Sequence, residues 1–573
     1  MARRKHSLQQ PIGFVEKLKS RRRIKAARLR RRSLSEGLMR QPFEKLEDRH
    51  LLAVVQWDGG GDGQSWHDPL NWDGDTIPAA IDHAVIEDAS TELIVQIDLN
   101  VEVASINSTE SLEVLNAELR TDALMAHELI LENGTLNPLD FGSQQSVDLT
   151  GDLTIREDTL TEGPATQFLV LGNIQVAGDL NTYRGLTITA LGSDAALTIQ
   201  GDAPLQGVDL SAFGGGVLSF PGVTEFQHDS RFRDEDLDYN AEGAGSRIEF
   251  DNLLTLGAGD QEGADMRINA REGGVISMAN LTTIMDPIRT DTDFRSVRFI
   301  ANGIDSQIDL SSLVSVHNRD RDEVSYFIEQ VGGDILLGSL ESVVGWDLTL
   351  GEDPATINND LSSLQHLESS VVRLSNDQFD APALARFTVS TLYATDSATF
   401  TASTLDDFFG SSLFASTGGQ ISFPALTQYS SWTTGSSQVR RFQASGVGSS
   451  ISMASLESVV GGDDYNAQLY FEAFDGALLD LPALVSLDDP DRGDKRLRRF
   501  GLNASGPGSI LSVPSLTTIR DYRSGSATNE HSSVAATEGG IVFAPQLSRL
   551  RGVNLLLNSE STLTPEQLQS GVI

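Results

Sequence analysis

The chain has no cysteine in 573 residues. That excludes disulfides and thiolate metal sites, so a fold in an oxidising space has to be held by its core. No run of about 18 apolar residues occurs, which argues against a transmembrane helix. Aromatics are sparse, at 6%. Cations are scarce after the start: residues 1–50 carry 16 Lys and Arg against 5 acids, which leaves the rest of the chain at a net charge of −50. A body that acidic repels phosphates and anionic membranes and admits divalent cations or basic partners, so no nucleic acid is expected on it. What the chain does have is 39% apolar residues, enough for a large core in several domains or one long repeat array.

The head, "RRKHSLQQPIGFVEKLKSRRRIKAARLRRRSLSEGLMR", is basic nearly all round as a helix and reads as a solvated, largely disordered arm. Phe14 and Phe43 are too few to stack on the bases of a nucleic acid. At the seam, "FEKLEDRHLLA" resembles the N-terminal planctomycete extracellular motif, Leu-Glu-(Pro or Asp)-Arg-x-Leu-Leu behind a basic arm. Leu46, Glu47, Asp48, Arg49, Leu51 and Leu52 fill that pattern. The resemblance implies export to the cell surface or beyond, with residues 1–53 as a targeting arm. No apolar signal core of about 7 to 15 residues precedes Leu51, so export is implied by the resemblance alone.

Residues 54–140 begin with "WDGGGDGQSWHDPLNWDGD", which resembles the opening of secreted bacterial β-helix and autotransporter-like passenger proteins. Trp57, Trp66 and Trp72 are expected to cap the first coil, because solenoid ends need covering. The alternative is a platform on which sugars stack.

Beyond them, short alternating aliphatic runs recur between Gly, Asn and Asp turns, a strand signal. One pattern, an aliphatic residue, an apolar one at +2 and usually Leu at +5, gives anchors at Leu218, Ile248, Ile276, Ile308 and Ile335. A second series falls at Ile421, Ile451, Leu479, Leu511 and Val542. The steps cluster near 30 residues, and the series are offset by about 203. Two blocks follow, 141–343 and 344–560, the second an internal duplication of the first. Residues 561–573 form a cap or tail, with Thr564, Pro565 and Gln567 suited to opening a short helix. A second strand precedes the anchors and ends at Ala241, Ala270, Ala301, Ala444, Ala473 and Ala504; alternation puts Leu237, Tyr239 and Ala241 on one face.

A unit of about 30 residues cannot bury its own apolar face and must stack on its neighbours. The expected fold is all-β, a right-handed parallel β-helix-like solenoid. A receptor-L-domain or leucine-rich-repeat-like solenoid is the alternative, because "ISMASLESV" and "LDLPALVSL" share its strand-turn cadence.

Acidic loops such as "QHDSRFRDEDLD", "GGDDYN" and "DDPDRGDKR" recur at corresponding places and should project from one side. The binding candidates are Asp463, Asp464, Asp488, Asp489, Asp491 and Arg492, with Lys495 nearby, since glycosidic cleavage or proton abstraction uses paired carboxylates. Their recurrence fits a surface property better than a catalytic centre, and no single coil displays clustered, unrepeated Asp, Lys and Arg on its outward strand face. None of the nine histidines has metal-ligand spacing; "HELILE" at His127 lacks a second His. No cofactor is expected; calcium is the one candidate, because "DDPDRGD" offers oxygen ligands but no EF-hand register. The reading is an exported cell-surface or matrix protein, a monomeric rod with a structural, adhesive or carbohydrate-binding role. Its partners would be extracellular polysaccharide or other envelope proteins, met by its loop-bearing side. The alternative is a polysaccharide lyase or glycoside hydrolase on the same scaffold.

Overall fold

The structure, a computed structural model, describes residues 53–87, 93–139, 145–156, 167–228, 236–258, 263–285, 296–318, 324–351, 361–431, 437–522, 531–559 and 563. The basic arm with its export motif and the C-terminal cap segment, Leu563 apart, lie outside the described residues. One compact unit runs from Leu52 to Ile573.

That unit is a parallel β-helix. Short strands stack into long sheets, chiefly a 16-stranded sheet from Gln167–Val170 to Val553–Leu556, a 13-stranded sheet from Glu225–Gln227 to Arg549–Arg551, and a 12-stranded sheet from Val54–Gln56 to Asp334–Leu336. A 7-stranded sheet, Gln378–Asp380 to Ile541–Phe543, takes the place of the 12-stranded one in later coils. Neighbouring strands within these sheets pair in parallel. No helix among the described residues is long and apolar enough to cross a membrane.

The anchors form two ladders. Leu218, Ile248, Ile276, Ile308 and Ile335 are register partners in succession, as are Ile421, Ile451, Leu479, Leu511 and Val542. All are buried, and each such side chain contributes about 1.5–3 kcal/mol. The alanines make parallel ladders, Ala212 to Ala301 and Ala394 to Ala536. Alternation holds as expected: in Leu237–Glu242, Leu237, Tyr239 and Ala241 point inward.

Two features differ from the sequence reading. The coil length is not uniformly near 30: it ranges from 17 residues (Ile94 to Ser111) through 20 (Val371 to Thr391) to 32 (Val275 to Gln307). Stacking constrains only the strands, so corner loops vary in length at little cost. Each later coil also has a third strand after the anchor strand, as in Thr255–Gly257 and Ser486–Asp488. The cadence of "LDLPALVSL" is thus an anchor strand, a turn and this third strand.

The corner between the first and second strands is held by a serine. Ser246, Ser306, Ser449 and Ser509 are buried, and each donates its Oγ–H to the carbonyl four residues earlier, at 2.7–2.8 Å. Each also accepts a backbone N–H from the preceding coil: Gly215, Gly273, Gly418 and Gly476, at 2.9–3.0 Å. One buried hydroxyl therefore satisfies a backbone donor and a backbone acceptor on two coils.

Candidate functional site

The tryptophans are a cap. Trp66 and Trp72 are fully buried, Trp57 is 7% exposed, and Trp72 packs edge-on against Trp57 at 5.0 Å and Trp66 at 4.7 Å. Buried rings cannot serve as a sugar platform, which corrects that alternative. Asn71, at the end of the 3₁₀ turn Pro69–Asn71, organises the glycine loop: its Oδ1 accepts the N–H groups of Gly61 and Gly63 and its Nδ2 donates to Asp62 and Ser65. A side chain at Gly61 would collide with Asp68, its Cβ 2.3 Å from Oδ2.

The acidic candidates around residue 490 are committed to internal pairing. Arg498 is buried and donates to the Asp489 carboxylate at 3.0 Å and to the carbonyls of Pro490, Arg492 and Gly462 at 2.7, 2.9 and 3.2 Å. It staples the loop after Asp489 to the previous coil. Asp488 pairs with Arg520 at 2.7 Å, Asp463 with Arg492 at 3.2 Å, and Asp491 with Lys495. Asp464 is exposed at a turn, where its carbonyl accepts the Ala467 N–H. Burial pushes the Asp489 carboxyl up to about 7 against the pull of Arg498, and Asp521 in the next coil adds to the push. These groups do not converge on an open cleft. No set of three or more His, Asp or Glu among the described residues is placed to hold a metal ion.

The open chemistry lies on the solvent face of the 16-stranded sheet, where outward positions of successive coils form columns. One column runs Asp238, Arg267, Arg298, Tyr326 and Asp347. Asp209, on the strand before Asp238, accepts the Asp238 N–H at 2.9 Å. Arg267 meets Asp236 at 2.5 Å, Asp265 at 3.5 Å and Asp238 at 3.6 Å, while Arg298 meets Asp265 at 2.8 Å. Burial raises both the Asp209 and Asp238 carboxyls; the Asp238 N–H opposes it at Asp209, and Arg267 opposes it at Asp238. This is a clustered, unrepeated Asp and Arg group on an outward strand face. Sequence inspection of single coils missed it because its members come from neighbouring coils.

Farther along, the same face carries aromatic and guanidinium groups. Tyr393 and Phe414, on adjacent strands, stack at 4.8 Å and 11°, with the Arg373 guanidinium 5.6 Å from the Tyr393 ring. Tyr470 lies between Arg441 and Arg499, at 4.6 and 5.6 Å. Its next neighbour in the column is Gly501, where a Cβ would come within 2.4 Å of the tyrosine ring, so glycine lets Tyr470 lie flat. Arg441 donates to both oxygens of the buried Glu472 at 2.8 and 2.7 Å, which fixes the guanidinium against the ring. From Arg373 to Arg499 this lane crosses six adjacent strands, about 24 Å at the spacing of a sheet. The described acidic loops at 461–466 and 488–496 join the third strand of one coil to the first of the next, so they flank the same face.

Compared with protein-family models, with curated proteins and with solved structures, the chain matches none.

Proposed function

We propose that the protein is an exported cell-surface or matrix solenoid that adheres to extracellular polysaccharide along the solvent face of its 16-stranded sheet. The observation that carries this reading is the Tyr393–Phe414 pair: two parallel rings, half-buried and outward on adjacent rungs, with Arg373 beside them. Flat aromatic faces ringed by hydrogen-bonding groups suit an extended, polar, ring-built polymer, because each sugar offers an apolar face for the aromatic and hydroxyls for the neighbouring Arg, Gln and Asn. The rungs lie about 4.8 Å apart, so successive sugars can meet successive coils. Export is supported by the basic arm and the motif at Leu46, Glu47, Asp48, Arg49, Leu51 and Leu52.

A glycan array with the full chain tests the reading. Binding to one or more extended polysaccharides is expected, at least about tenfold weaker in Tyr393→Ala/Phe414→Ala, with the thermal midpoint shifted by only a few degrees. A double variant that binds as the parent does would refute the lane.

The Asp209 and Asp238 pair favours a second reading, cleavage of the polysaccharide. Asp209 and Asp238 carry carboxyls that burial makes weaker acids, and their adjacent strands run about 4.8 Å apart, on the order of the carboxyl separation used by retaining glycosidases. Release of reducing ends from a bound polysaccharide, abolished by Asp238→Asn with binding intact, would establish that chemistry.

A further inference from the structure

The acidic body is not uniformly acidic. Residues 492–551 carry nine Lys and Arg against four Asp and Glu, a net +5 in a body of −50. Most of the earlier cations in this stretch are spent internally: Arg492, Lys495, Arg496 and Arg498 each pair with an aspartate, and Arg499 bonds Gln468 and faces the Tyr470 ring. The later ones are placed differently. Arg520 is the last residue of strand Thr518–Arg520, and Arg549 and Arg551 begin and end Arg549–Arg551, the final rung of the 13-stranded sheet.

Register sets Arg551 directly beside Arg520 and Arg549 beside the buried Thr518; Arg549 and Arg551 are exposed and Arg520 is half-buried. Like charges facing each other across adjacent strands are destabilising. Asp488, one rung earlier, compensates Arg520 at 2.7 Å. Arg551 lies over the Tyr522 ring at 4.1 Å, a contact that orients the guanidinium without neutralising it. Arg549 is exposed and has no ion pair among the described residues. Thr518, Arg520, Tyr522, Arg549 and Arg551 together line a depression of about 390 Å³.

We infer that this depression binds an oxyanion carried by a saccharide, the carboxylate of a uronic acid or a sulfate ester. The guanidinium fork matches either group with two parallel hydrogen bonds. The field beyond the patch favours a single anionic group over a long polyphosphate, because the rest of the body repels a polyanion that extends past a Debye length of about 8 Å. The acids around the cluster are engaged already: Asp488 holds Arg520, Asp491 holds Lys495, Asp489 holds Arg498, and the buried Asp521 accepts the Ser532 N–H and hydroxyl. The site is on a different sheet from the Tyr393–Phe414 lane, so the anion contact is independent of that lane, while the saccharide as carrier rests on the proposed function.

The test is calorimetric titration of the full chain, at low salt, with a disaccharide ending in one uronic acid, a singly sulfated disaccharide, a neutral disaccharide and a single-stranded DNA oligomer. Binding of at least one of the two anionic saccharides is expected, and which of them binds identifies carboxylate or sulfate as the group. The affinity should fall at least about tenfold on raising salt from about 0.02 to 0.2 M, as for other arginine-held anions. Arg549→Ala/Arg551→Ala should lose it; Arg549→Glu, which leaves the Tyr522 contact in place, should weaken it at least about tenfold with an unchanged melting midpoint. Three results would each overturn the inference: no binding of either anionic saccharide at low salt, equal binding by Arg549→Glu, or tighter binding of the DNA oligomer.

Discussion

Arg498 Nη2 donates to Asp489 Oδ2 across 3.0 Å with both side chains withdrawn from water, 1% and 4% exposed. The pair lies where the last strand of one coil turns toward the first strand of the next, and Asp489 Oδ2 also accepts the Tyr522 N–H of the following coil at 3.1 Å. Three coils are thus tied by two side chains: Gly462 before, Asp489 within and Tyr522 after.

Removing Arg498 leaves the buried Asp489 carboxyl without the cation that opposes its protonation. Arg498→Met strands Asp489 and takes the donor from three carbonyls, so the expected loss is about 3–5 kcal/mol, read as a lower midpoint in thermal or urea unfolding.

The Asp489 carboxyl also fixes a pH dependence. Raised from 3.8 to about 7, it holds a proton in the folded chain that the unfolded chain has released. Its contribution to stability is therefore fully present below about pH 4 and is lost as pH rises through 7. Asp489→Asn lacks this dependence, so the variant's melting midpoint should gain on the parent's between pH 4 and pH 8. If the parent gains instead, attraction to Arg498 outweighs burial.

The anchor ladder makes a contrast between adjacent residues. Leu479 is fully buried and Leu478, its neighbour, is 39% exposed. Leu479→Ala should cost about 2–5 kcal/mol, while Leu478→Ala should stay within about 0.5 kcal/mol. Equal effects in paired unfolding curves would contradict the inward and outward assignment.

The corner serines predict a local effect. Ser449→Ala leaves the Gly418 N–H and the Ser445 carbonyl without their side-chain partner, at about 1–3 kcal/mol. Hydrogen exchange should accelerate first at the Gly418 amide, in the coil before the substitution; Ser449→Thr should restore protection if its methyl fits.

Export has its own measurement. Mass spectrometry of intact protein from separated fractions of the native host is expected to find it in the outer-envelope or extracellular fraction, with a mature N-terminus near Ala53. A full-length cytoplasmic species would sink the export proposal and turn attention to the basic arm.

The inward half of this fold was legible in the sequence. Period-2 alternation decides which side chains face in, and a buried ladder selects apolar residues. The spacing of Leu218, Ile248, Ile276, Ile308 and Ile335 therefore already contained their register. The third strand was readable only as a cadence, because three residues with one inward side chain leave too short a pattern to distinguish a strand from a turn.

The outward half was decided by tertiary structure. Coils run from 17 to 32 residues, so two outward residues meet only if the corner loops between them happen to bring their strands into register. No fixed spacing links Asp209 to Asp238, Tyr393 to Phe414 and Arg520 to Arg551. In the same way "DDPDRGDKR" reads as an exposed acidic loop, yet Arg498, just past it, turns inward and draws Asp489 with it. Local composition, period and core pattern were the sequence's own determination, since they follow from neighbours along the chain. The functional surface belongs to neighbours across coils, and only stacking the strands decides who they are.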